Sequence, residues 1–144
     1  MVEGFRFQGL ENRSKAAMRK AISLIGISAR EFFKGQFYQE GFTNRGYVRW
    51  KDRKRKASHP ILTKSGALRD SIKSKTSKAA LTATVFTTLE YSEIHNEGSP
   101  DGGIGKLPQG GTFKMPKRQF IGDSQKLDKG VEMIIENEID NLFI

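Results

Sequence analysis

SIKSKTSKAALTATVFTT, Ser71–Thr88, consists of two threonine- and serine-rich halves on either side of a short Lys78–Ala80 connection. In the second half Leu81, Ala83, Val85 and Thr87 alternate with Thr82, Thr84, Phe86 and Thr88. That is the two-residue period of a pleated strand, and β-branched side chains fit such a surface. Two strand-like runs with so short a join predict an antiparallel hairpin. Just upstream, Ile61–Ser71 reads ILTKSGALRDS, in which Ser65 is placed to cap a helical turn bringing Leu68 and Ile72 to one side. Just downstream, Tyr91, Ile94 and His95 fall at one-turn spacing before Gly98, which predicts a brief helix closed by that glycine.

Helices bracket this hairpin. From Ser14 to Phe33 the residues Met18, Ala21, Ile22, Ile25, Ala29 and Phe32 recur at three- and four-residue steps, an amphipathic stripe. Asn12 or Ser14 is expected to cap it and Gly35 to end it. At the other end, Asp123 or Ser124 opens a helix with Leu127, Val131, Ile134, Ile135, Ile139 and Leu142 on one face. Phe113, Met115 and Phe120–Ile121 predict a third strand, confined by Pro116 to an edge or a bulge. The fold class that follows is α+β, an antiparallel β-sheet packed by an N-terminal and a C-terminal helix. With 144 residues and no internal repeat or linker, residues 1–144 read as one domain, large enough to bury roughly two-thirds of its unfolded surface.

Two segments resist assignment to helix or strand. Residues 36–60 place aromatics between glycines, then a basic run, and show neither period, so they read as an extended arm. Residues 98–111 hold too many glycines and prolines for a regular element and read as a second long, mobile loop.

The charge is unevenly spread. The net charge is +9, and Arg49–Lys56, RWKDRKRK, carries six basic residues against one acid, whereas residues 128–144 carry five acids against Lys129 alone. A basic segment of this kind meets phosphates, an acidic neighbour, or the opposite end of a second copy. Like-charge runs are also commonly nothing more than solvated loop.

Little here supports catalysis. There is no cysteine, so neither a disulfide nor a thiolate metal site is available, and a reducing compartment is compatible. The first residues, MVEGFRFQGLENRSK, lack an apolar core of the secretory type, and no apolar run approaches the roughly 20 residues of a membrane span. A soluble chain, without membrane attachment and without cofactor, is expected. The two histidines, His59 and His95, have no partner at zinc-binding spacing. PDGGIGKLPQGG lacks the spacing of a phosphate-binding loop, and no serine sits in a nucleophile elbow. His95 with Glu97 leaves a weak nuclease alternative, set against a structural, hydrogen-bonding role for the imidazole.

Four elements in order carry a resemblance: Trp50 in its basic surround, ILTKSGALRDSI from Ile61, YSEIHNEG from Tyr91, and MPKRQFIGDS from Met115. Together they resemble the phage virion morphogenesis family, the Mu G-like tail-completion proteins. The match falls on Trp50, Leu62, Ser65, Gly66, Leu68, Ser71, Ile72, Tyr91, His95, Gly98, Pro116, Arg118, Phe120, Gly122 and Ser124. Ser92, Asn96 and Gln119 depart from the pattern, where alanine, glutamine and a second proline are usual. The resemblance implies a structural role at the neck or tail end of a tailed phage or prophage. It implies completing the tail or joining it to the head as a ring of copies beside other neck or tail proteins, in the cytoplasm during assembly and then in the virion. Under it, Gly66, Gly98 and Gly122 are turn residues, Trp50, Tyr91 and Phe120 are core aromatics or interface anchors, and Arg118 is a candidate for an inter-subunit or buried ion pair. The alternative is a nucleic-acid-binding module, with Arg49, Lys51, Arg53, Lys54, Arg55 and Lys56 on phosphates and Trp50 or Tyr47 stacking on a base.

Overall fold

The computed structural model describes residues 8–99, 105–106 and 109–143. Helix α1 spans Gln8–Gln39, about 48 Å at 1.5 Å per residue. It is longer than its apolar stripe predicts at both ends. Ser14 is interior, its hydroxyl donating back to the Leu10 carbonyl at 2.8 Å. Gly35 does not stop the helix, because the buried ladder Ala29, Phe33, Gln36, Phe37 continues past it and outweighs the roughly 1 kcal/mol cost of one glycine. Termination falls at Glu40, whose φ of 50° turns the chain. Its carbonyl accepts from Trp50 N at 2.8 Å and its carboxylate from Ile61 N at 2.6 Å.

The arm expected at 36–60 contains a hairpin. β1 (Gly41–Thr43) pairs antiparallel with β2 (Tyr47–Arg49), in register Gly41↔Arg49 to Thr43↔Tyr47. All three β1 residues are buried and all three β2 residues exposed, so neither strand shows the alternation by which strands are recognised. Residues 50–60 then follow without helix or strand.

The remaining elements come close to expectation. A short helix, α2 (Ala67–Asp70), begins where Ser65 Oγ accepts from Ala67 N at 3.2 Å, and it buries Leu68 beside Ile72. β3 (Lys73–Ser77) and β4 (Thr82–Phe86) form the predicted hairpin, in register Lys73↔Phe86 to Ser77↔Thr82. α3 (Ser92–Glu97) ends at Gly98, whose φ is 80°. β5 (Gly105–Lys106) pairs with β6 (Thr112–Phe113). α4 (Gln125–Asp140) starts at Ser124, whose side chain accepts from Leu127 N, and runs into a 3-10 turn at Asn141–Phe143.

The third strand predicted through Met115 and Phe120–Ile121 is confined to Thr112–Phe113. The segment after it is extended, but side chains and α3 take its amides instead of a ladder. Met115 N donates to Ser99 Oγ at 2.6 Å, Arg118 N to the His95 carbonyl at 2.9 Å, and Phe120 N and Ile121 N to Asn96 Oδ1 at 2.9 and 3.0 Å. The strands thus form three two-stranded antiparallel pairs among the described residues, flanked by the terminal helices of an α+β fold. Of the mobile loop expected at 98–111, residues 100–104 and 107–108 lie outside the described residues, and the rest includes β5, a short strand where no regular element was expected.

α1 packs along α4 and across the β3–β4 hairpin. It divides its buried face between two clusters. Ala21, Ile22 and Ile25 meet Ala83 of β4 and Val131, Ile134 and Ile135 of α4. Ala29, Phe33 and Phe37 meet Phe42, Trp50, Ile61, Leu68, Ile72 and Phe120. Of the predicted α4 face, Leu127, Val131, Ile134 and Ile135 pack inward, while Ile139 is left exposed at the far end.

Candidate functional site: the basic arm and its anchor

Trp50 is the point from which the arm leaves the body. Its side chain is 4% exposed, its ring meets Phe37 edge-on at 5.5 Å between centroids, and its Nε1 donates to the Gln119 carbonyl at 2.8 Å. Phe120 stacks on the same Phe37 at 5.1 Å. Of the two roles open to Trp50 and Phe120, the structure places both in the core. Trp50 is therefore not available to stack on a base. Tyr91 lies on the surface, 45% exposed, with its ring edge-on to His95.

The segments of the sequence resemblance converge on this point. Asn96 of α3 clamps the extended 118–121 segment through its acceptor oxygen, and its amide donates to the Ile121 carbonyl at 3.0 Å. Gly98 lies so close to that segment that a Cβ would meet Lys117 N at 3.0 Å and Met115 O at 3.2 Å, and its positive φ adds strain for any other residue. Ser124 Oγ donates to the Thr43 carbonyl at 2.7 Å, and Lys126 N to the Asn44 carbonyl at 3.2 Å, joining the β1–β2 hairpin to the start of α4. Leu62 packs against the main core with φ 59°. Gly66 has a φ of 77° before α2. Ser71 donates to the Leu68 carbonyl at 2.7 Å and lies 2.6 Å from the Thr87 hydroxyl, tying α2 to the end of β4. Gly122 occupies a bend whose φ is not left-handed.

Beyond the anchor the arm is cationic and open. Lys51, Lys54, Arg55 and Lys56 are exposed. Arg49 is also exposed and pairs with Asp52 at 3.0 Å. Arg53 bends inward, where its guanidinium meets His59 Nδ1 at 3.2 Å and donates to the His59 carbonyl. A cleft of about 540 Å³ lies between the arm and the 114–118 segment, lined by Lys51, Asp52, Arg53, Lys54, Lys114, Pro116 and Arg118.

Arg118 is 7% exposed, and its Nε donates to the Lys51 carbonyl at 2.9 Å. Of the inter-subunit or buried ion pair expected for it, the buried form is not made within the chain: among the described residues no carboxylate lies within 4.0 Å of the guanidinium. Burial, then the charge of Arg53, push its pKa down from the ordinary arginine value, and Asp52 only partly opposes them. The Nε of Arg118 is held by the Lys51 carbonyl, and its terminal nitrogens open toward the cleft.

His95 is half-buried, and its Nδ1 is enclosed without a hydrogen-bonding partner. The hydrogen bonding expected of its imidazole is not seen among the described residues; the backbone carbonyl instead accepts from Arg118 N. Glu97 lies next to Asn96 and Lys117. Among the described residues no group of three or more His, Asp or Glu side chains converges as metal ligands do, and no helix is long and apolar enough to cross a membrane. Asn96, Glu40 and Lys114 were not singled out by sequence as site residues. Their roles depend on contacts with segments far along the chain, and no local spacing signals them.

Comparison with curated proteins and with solved structures gave no match. The profile of the phage virion morphogenesis family matches residues 10–140, from the first turn of α1 to the last residue of α4. The match takes in the Trp50 anchor, the α3 clamp and the Arg118 segment, whose mutual contacts hold the base of the arm. By this match the chain belongs to the phage virion morphogenesis family, with a structural role in building the virion.

Proposed function

We propose that this chain is a non-catalytic assembly protein of a tailed phage or prophage, which completes the tail or joins it to the head by associating into a ring. It would act without a cofactor, in the cytoplasm during assembly and thereafter in the virion, against other neck or tail proteins. Beyond family membership, the observation that carries this reading is the disposition of the arm. A charged, open segment is held on a rigid aromatic and hydrogen-bonded base, which is how an interface is displayed at low conformational cost. The test is particle assembly: heads and tails made without this chain should join, or tails reach their finished form, only when the purified protein is added. Particles completed equally well without it would overturn the proposal.

A second reading, contact with nucleic acid, is favoured by one observation: Lys51, Lys54, Arg55 and Lys56 are exposed and have no carboxylate within 4.0 Å among the described residues. The stacking role falls to Tyr47, which is exposed. Duplex binding that weakens steeply with salt, and is lost when Arg53–Lys56 is neutralised, would support it; binding indifferent to those changes would remove it.

A further inference from the structure

The cleft around Arg118 and the outer face of α4 are each incomplete alone. Along α4, Asp128, Glu132, Glu136 and Asp140 recur every four residues and all are exposed. They make one carboxylate ridge about 18 Å long at 1.5 Å per residue. Like charges at this spacing repel, and Glu136 and Asp140 also face the negative end of the helix dipole, with no base in the last turn. None has a cation within 4.0 Å among the described residues. Met133, 62% exposed, borders the ridge on one side, and Lys129, also exposed, is the one base between Asp128 and Asp140. The other half is the cleft, where Lys51, Arg53, Lys54 and Lys114 surround the nine-tenths-buried Arg118 against the single carboxylate of Asp52. The terminal nitrogens of Arg118 have no hydrogen-bonding partner among the described residues.

The far half of the ridge cannot reach the cleft of its own molecule. Lys20 pairs with Glu138 at 3.1 Å and Arg13 donates to the Leu142 carbonyl, so the end of α4 lies against the first half of α1. Trp50 sits on Phe37, 17 residues further along that helix, or about 26 Å away.

We infer that the cationic cleft around Arg118 receives the carboxylate ridge of α4 from a second copy of this chain, an inference that rests on the assembly function proposed above. Two different patches meet in such a contact, so it is heterologous, and repetition closes it into a ring when the rotation allows. A phosphodiester chain matches the cleft in charge as well. The ridge is favoured because it is an unpaired complement carried by every copy.

The test is charge reversal read by sedimentation velocity, using Lys54→Glu with Lys114→Glu in one variant and Glu132→Lys with Glu136→Lys in another. All four side chains are exposed, and circular dichroism checks that both variants fold. Each variant should self-associate about tenfold more weakly than the unaltered chain, and an equimolar mixture should recover association. Oligomers unchanged by both reversals would overturn the inference while leaving the assembly proposal standing. So would a cleft variant that loses only its affinity for a duplex DNA probe. An unaltered chain that never self-associates would overturn the assembly proposal as well.

Discussion

Asn96 carries more of the structure than its place in the sequence suggests. One side-chain oxygen accepts two backbone amides, Phe120 N and Ile121 N, in a segment that has no strand partner. Asn96→Ala leaves both amides without their acceptor, and the expected loss is about 2–3 kcal/mol in urea unfolding. Asn96→Asp keeps the acceptor but not the donor to the Ile121 carbonyl, and should fall between. Its neighbour His95 makes stability depend on pH. Burial first, and the Arg118 charge second, hold its pKa below the ordinary 6.5. The unfolded chain therefore takes up the proton more readily, so stability is full above about pH 6.5 and is lost as pH falls toward the folded value. Thermal melts between pH 8 and 5 should decline less steeply for His95→Leu than for the unaltered chain; parallel declines would show that His95 is not the group responsible. Sequence marked His95 and Arg118 through the family resemblance. It marked Asn96 only as a departure from the family pattern and gave no sign of its role, because the amides it serves lie 24 and 25 residues away.

At the scale of elements, what the sequence disclosed follows from periodicity. The β4 half of the hairpin alternates in sequence and is joined to β3 by a short connection, and α4 carries both a cap and a stripe, so both stand where expected. The β1–β2 pair escaped notice because three-residue strands, one wholly buried and one wholly exposed, have no alternation to read. Gly35 misled for a related reason: a glycine signals a helix end only where packing stops too, and Phe37 is buried beyond it. Two of the three glycines of α1, Gly26 and Gly35, then differ in a testable way. A Cβ at Gly35 meets nothing within 4 Å, so Gly35→Ala should stabilise by about 0.5–1 kcal/mol. At Gly26 a Cβ would lie 2.7 Å from Thr76 Cγ2, where α1 crosses β3, so Gly26→Ala should forfeit that gain. Ser124→Ala removes both the α4 cap and the bond to Thr43, costing about 1–2 kcal/mol and loosening the β1–β2 hairpin with the helix. Chemical denaturation reads the size of each change, and amide exchange at Phe42–Thr43 reads the loosening.

For the whole molecule, the four matched elements, dispersed over residues 50–124, prove to be one structure: the base of the basic arm. The Trp50, Phe37 and Phe120 rings pack together there, Arg118 spans from the His95 carbonyl to that of Lys51, and the arm projects beside a cleft of about 540 Å³. Sequence supplied the motifs and the opposed charges of arm and tail. It could not supply the roughly 26 Å along α1 that separates them, which depends on how α4 folds back. Fixing this much geometry around a surface segment suits a protein that presents the segment to neighbours, and association of copies is the central claim. Sedimentation velocity of the purified chain over a hundredfold range of concentration tests it most directly: the account predicts a discrete oligomer that dissociates as salt is raised, and a sharp monomer boundary at every concentration would contradict it.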